Sequence, residues 1–96
     1  MAAAAIAQYL DHLEVERQLS PNTLEGYRRD LEALGAFSEA QGQDVDALGT
    51  EDIRGFIAAE HRRGLSPKSL QRRLSAVRSF YRWLLRHGRV KANPWA

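Results

Sequence analysis

The 96 residues contain no cysteine, which excludes a disulfide framework and any thiolate nucleophile or ligand. Proline occurs only at Pro21, Pro67 and Pro94, and no apolar stretch approaches the length of a membrane span. Met1-Ala2-Ala3-Ala4-Ala5-Ile6 lacks the basic start and long apolar centre of a signal peptide, so the expectation is a cytoplasmic protein with no membrane partner. There is no strand-like alternation of apolar residues, no glycine-rich phosphate loop and no Ser-His-Asp arrangement. His12, His61 and His87 stand apart from each other and from carboxylates at ligand spacing. They read as surface residues, and no metal site is expected. Glu14 with Glu16, and Asp44 with Asp46, lie in acidic, solvated stretches and do not read as catalytic pairs.

The most lopsided shortage is of acid in the second part of the chain. Twelve acids and four bases through residue 60 give −8, whereas ten bases and no acid beyond it give +10. Solvated surface charge would mix the signs. A small domain polarised in this way points to a polyanion on its basic side, with nucleic acid as the leading partner.

What is present is a repeat. Leu19-Ser20-Pro21-Asn22-Thr23-Leu24 returns 46 residues later as Leu65-Ser66-Pro67-Lys68-Ser69-Leu70. Each copy has the chemistry of a helix start. Serine at the N-cap accepts from orphan backbone N–H groups, and proline at the first helical position has no N–H to leave unpaired. The flanking leucines have the spacing of a hydrophobic staple. Either helix end could accept a phosphate, although good capping alone also explains the pattern.

Periodicity predicts one all-α domain of four helices. The first covers about residues 3–17, with Ile6, Tyr9, Leu10 and Leu13 on one face, and the second about 21–41, with Leu24, Tyr27, Leu31, Leu34 and Phe37. Gly42 stops the second helix, and a polar loop over residues 43–49 leads to a third capped by Thr50. Ile53, Phe56 and Ile57 form the core face of that helix, which Gly64 ends. The fourth helix runs from Pro67 to about His87. At 100° per residue, Leu70, Leu74, Val77, Tyr81 and Leu84 form an apolar stripe. Lys68, Arg72, Ser75, Ser79, Arg82 and Arg86 lie opposite, with Arg73 and Arg78 on either side of the stripe. That face carries no glutamate for i,i+4 pairing. In the second helix Asn22, Gly26 and Arg29 lie opposite the apolar stripe. Gly26 costs helix stability, so it calls for a reason: helix packing or close approach of a partner.

The segments from Val15 to Leu24, Tyr27-Arg28-Arg29-Asp30-Leu31 and Arg72 to Leu84 resemble the amino-terminal core-binding domain of tyrosine site-specific recombinases, of the Xer type. The likeness spans residues 6–94. It implies a compact orthogonal four-helix bundle, similar to the SAM-domain fold, forming half of a clamp around DNA. Residues 1–90 would be that domain and 91–96, with Lys91-Ala92-Asn93-Pro94, the start of a linker to a second domain. In the family the second and fourth helices face the major groove of a recombination half-site. Carried onto this sequence, the implied contacts are Asn22, Thr23, Gly26 and Arg29 from one helix. From the other they are Lys68, Ser69, Arg72 and Arg73, with Ser75 and Arg78 at the margin. Arg72 is the residue expected to read a guanine, and Lys68, Ser69, Thr23 and Arg29 to hold phosphates.

The resemblance also implies other recombinase subunits as partners, including a related second Xer subunit in a tetramer on DNA. Asp11, Glu14 and Glu16 of the first helix would meet a neighbour. It implies neither cofactor nor small-molecule substrate. The family's nucleophilic tyrosine and its assisting residues belong to a carboxyl-terminal domain absent from these 96 residues. Tyr9, Tyr27 and Tyr81 read as core residues, so the chain is expected to bind DNA and not cut it. Phe80 is expected in the core, whereas Trp83 and Trp95 are left open, with the other domain or a neighbouring subunit as a place for either to pack. Three other readings share these features: a core-binding domain of a phage or integron integrase, an accessory DNA-binding factor complete in itself, and a SAM-like protein–protein module with a basic face.

Overall fold

Both copies of the repeat start helices with the same backbone geometry. Ser20 and Ser66 each sit at φ −62°, ψ 153°. Their hydroxyls accept from the backbone N–H groups of Thr23 at 3.3 Å and Ser69 at 3.2 Å. A computed structural model describes residues 2–90 and Pro94. It consists of α1 (Ala2–Val15), α2 (Pro21–Ala40), α3 (Thr50–Arg62) and α4 (Pro67–Arg86), with a 3₁₀ turn at Val45–Ala47 and no strand among the described residues. Gly42 and Gly64 follow α2 and α3 at φ +71° and +87°, backbone that glycine adopts without steric cost. Lys91, Ala92, Asn93 and Trp95, and so most of the expected linker, lie outside the described residues.

The start of α3 differs from expectation. Gly49 is the N-cap and Thr50 the first helical residue. The Gly49 N–H is satisfied by the Asp52 carboxylate reaching back, at 2.9 Å, so the capping oxygen comes from inside the helix.

The core joins Ile6, Tyr9 and Leu13 of α1, Leu31 and Leu34 of α2, Val45 and Leu48 of the connection, Ile53 and Phe56 of α3, and one face of α4. That face is rotated from the predicted stripe. Val77, Tyr81 and Leu84 are fully buried, but so are Ala76 and Phe80, while Leu70 and Leu74 are only half-buried. Contact with α1 explains the rotation: Tyr9 packs on Phe80 with ring centroids 5.4 Å apart. Trp83 belongs to the same cluster, 5.3 Å from Tyr9 and 4.9 Å from His87. It packs within this domain and stays half-buried. His12, expected at the surface, is half-buried beside Tyr9 and Trp83. The Tyr81 hydroxyl donates to the Val45 carbonyl at 2.7 Å, which pins the 3₁₀ turn over α4. Each such buried side chain contributes about 1.5–3 kcal/mol.

Burial pushes the Tyr9 phenol from its ordinary value near 10 up to about 12, and burial raises Tyr81 as well. A proton held more tightly in the folded state stabilises the fold below pH 10, and that contribution is lost as pH rises through the folded value. Urea unfolding between pH 8 and 12 should therefore show stability falling above pH 10. Tyr9 should account for about 2–3 kcal/mol of the fall, and Tyr9→Phe should flatten that part of the curve.

Candidate nucleic-acid interface

A buried carboxylate sits beneath the basic face of α4. Asp30, on α2, has no exposed surface. Its Oδ2 accepts from Arg72 Nε at 2.9 Å and its Oδ1 from Arg72 Nη2 at 3.0 Å, a bidentate pair. Oδ1 also accepts from Arg73 Nε at 3.1 Å. Arg73 continues to Glu60 of α3, and Glu60 Oε2 accepts from Arg63 Nη1 at 2.9 Å. The network ties α2, α3 and α4 together through side chains alone.

The two adjacent arginines do different work. The Arg72 side chain is 45% exposed, that of Arg73 only 12%. Arg73 was expected among the DNA contacts. The structure turns it inward, because the Asp30 and Glu60 carboxylates converge on its side of α4. Arg72 spends Nε–H and one Nη2–H on Asp30. Two N–H groups on Nη1 and one on Nη2 remain, the end of the fork that can meet two acceptors on one base edge. Hydrogen bonding to Asp30 also raises the Arg72 pKa above its ordinary value. Its charge and its plane are both held.

Gly26 lies under that arginine. A Cβ built there would meet Arg72 Nε at 3.5 Å and Cδ and Cζ at 3.6 Å, ordinary van der Waals distances. Helix packing therefore does not demand glycine at this position. Asn22, Thr23 and Arg29 are exposed on α2, and Lys68, Ser75 and Arg78 on α4, with Ser69 half-buried at the capped end. Thr23 accepts a hydrogen bond from the Ser20 hydroxyl at 2.9 Å, leaving its own O–H as a donor. Arg29 pairs with Glu25 at 3.3 Å, and Arg28 binds the same carboxylate and Glu32. Hydrogen bonding, first from Arg28, holds Glu25 below the usual carboxylate range. Gly26 and Arg72 thus share one region where α2 meets α4. Arg73 is displaced from it.

Two features escaped the sequence reading. Asp30 is one more acid in an acidic half, and its only local mark is the i, i+4, i+8 spacing with Asn22 and Gly26. Arg17, at the end of α1, meets Arg82 and Arg86 of α4 in one small pocket, a pairing that no spacing along the chain encodes.

Fold and site together define a helical domain that presents paired, capped helix starts and a buttressed arginine. Residues 6–88 match the family described as phage integrase, N-terminal SAM-like domain, and the chain belongs to that family. It is a core-binding domain of the tyrosine-recombinase type. More particularly, it is similar to proteins named tyrosine recombinase XerC. Identity is 57% over 94 residues to that of Xanthomonas campestris pv. campestris (strain B100), covering 97% of this chain and 29% of the relative. It is 50% over 92 residues to that of Xylella fastidiosa (strain 9a5c), covering 95% and 31%. For Azotobacter vinelandii (strain DJ / ATCC BAA-1303) it is 49% over 94 residues, covering 97% and 31%. The chain thus spans under a third of the length of these curated relatives, and their catalytic domain is not in it.

Breaking a buried ion pair from one side leaves uncompensated charge. Asp30→Ala should cost about 3–5 kcal/mol of unfolding free energy, read from urea titrations. Asp30→Asn keeps the shape but removes the charge and sets an NH2 donor against an arginine N–H, so it should also destabilise the fold.

Proposed function

We propose that this chain is a duplex-DNA-binding domain that recognises a recombination half-site for a XerC-like recombinase. The carrying observation is the Arg72 fork, oriented by a buried carboxylate and left open at its outer end. A flexible arginine loses rotamer freedom on binding; one already held by Asp30 has lost most of it beforehand. Arg72 would take the O6 and N7 of a guanine in the major groove, with Asn22 and Ser75 beside it and Arg78 at the margin. Lys68, Ser69, Thr23 and Arg29 would hold phosphates and set the register. Gly26 would let the duplex approach α2 closely. Arg73 contributes by positioning Asp30 and makes no DNA contact itself.

In a full-length recombinase in the cytoplasm, this domain would place the catalytic domain for strand exchange, such as resolution of chromosome dimers. Its partners would be a XerD-like subunit and further subunits of a tetramer on DNA, with the outward acids of α1 facing a neighbour. No cofactor is required for binding.

Fluorescence anisotropy with a labelled Xer half-site and a scrambled duplex at two salt concentrations tests this reading. The half-site should be preferred, and Arg72→Ala should erase the preference, a change of about 1–3 kcal/mol. Arg72→Lys keeps the charge without the fork and should also lose preference while retaining affinity for both duplexes. Equal wild-type binding to both would place specificity elsewhere, and no binding would favour a protein–protein module. Gly26→Ala separates packing from approach. It should raise stability by about 0.5–1 kcal/mol yet weaken duplex binding.

A further inference from the structure

Beyond the Arg72 region, the seam between α1 and α4 holds a second cationic feature. A pocket of about 70 Å³ is lined by Arg17, Arg82, Arg86, His12, Ser79 and Trp83, together with a tyrosine ring, and by no carboxylate. The three arginines are exposed, and none forms an ion pair among the described residues. Elsewhere this domain pairs its arginines readily, as at Arg28, Arg29, Arg54, Arg63, Arg72 and Arg73. Trp83 adds a second observation. Its indole nitrogen is buried and has no hydrogen-bond partner. That N–H can only donate, and an orphaned buried donor is costly.

We infer that this pocket binds a phosphate group, and that on DNA it takes a backbone phosphate beside the groove in which α4 lies. The second half of the inference rests on the DNA-binding reading; the first does not. Three arginines lining one pocket without a carboxylate supply the charge and the donors that a phosphate takes up. The placement follows from length. Helix α4 has 20 residues, about 30 Å, whereas the major groove is about 12 Å wide. Arg82 and Arg86 lie ten and fourteen residues beyond Arg72, about 15–21 Å along the axis. With Arg72 at a base edge, the last turns of α4 must leave the groove across its bordering strand. Arg17 brings α1 to the same phosphate, so both ends of α4 would be anchored and the reading arginine would sit between fixed points.

The test is the salt dependence of duplex binding by Arg17→Gln and by the double variant Arg82→Gln/Arg86→Gln. Arg54→Gln on α3 serves as control, and circular dichroism confirms folding. Each should weaken half-site and scrambled duplex by the same factor. The slope of log K against log salt should fall by about 1 for the double variant, which removes two of the three charges on one phosphate, and by less for Arg17→Gln, with the half-site preference unchanged. A slope matching wild type overturns the DNA part while leaving the Arg72 reading intact. Should wild type bind neither duplex, that reading fails, and inorganic phosphate tests the pocket alone. A saturable shift of the Trp83 indole N–H resonance with phosphate, absent with chloride at equal ionic strength, supports the pocket. No such shift overturns it.

Discussion

The buried Asp30 carboxylate is the interaction on which the rest of this domain depends. A carboxylate removed from water is tolerated only when its charge is matched and its lone pairs are filled. Arg72 and Arg73 do both, with three hydrogen bonds from two adjacent residues. Because the arginines belong to α4 and the carboxylate to α2, meeting that requirement fixes the rotation of one helix against the other. Glu60 then draws α3 into the same arrangement through Arg73. Apolar packing acts in the same sense, since Ala76 and Phe80 are buried on the face of α4 that meets α1.

The same network divides the basic charge of α4 by role. Two acids from the −8 part of the chain are consumed inside, where they neutralise the inner arginines. The outer bases, Lys68, Arg82 and Arg86, have no acid on their own helix to pair with. Arg72 stands at the border, half committed to Asp30 and half presented to solvent. A surface arginine held in this way combines the specificity of a fork with little remaining freedom to lose. Membership of the phage-integrase SAM-like family accords with such a surface.

Much of this was legible beforehand for reasons that are local. A Ser-Pro helix start depends on the next three residues only, so both copies of the repeat formed with the same dihedral angles. Helix number and the outward placement of Lys68, Arg72, Ser75 and Arg86 follow from a 3.6-residue period. The Thr50 cap failed at the same local scale: the helix starts one residue earlier, and the Asp52 carboxylate takes up the N–H of Gly49. The burial of Arg73 and the placing of Trp83 within its own core were hidden, since each depends on what another helix brings within reach.

The sequence by itself determined the four helices, their caps, the basic face and the family, because these rest on neighbours within a turn or on motifs contiguous in the chain. Only the tertiary structure decided which of two adjacent arginines faces outward and where Asp30 ends up. It also decided that Arg17 meets Arg82 and Arg86. These placements join residues 42 or more positions apart, and the desolvation of the buried Asp30 charge, which selects Arg72 and Arg73 as its partners, has no value until the helices have packed.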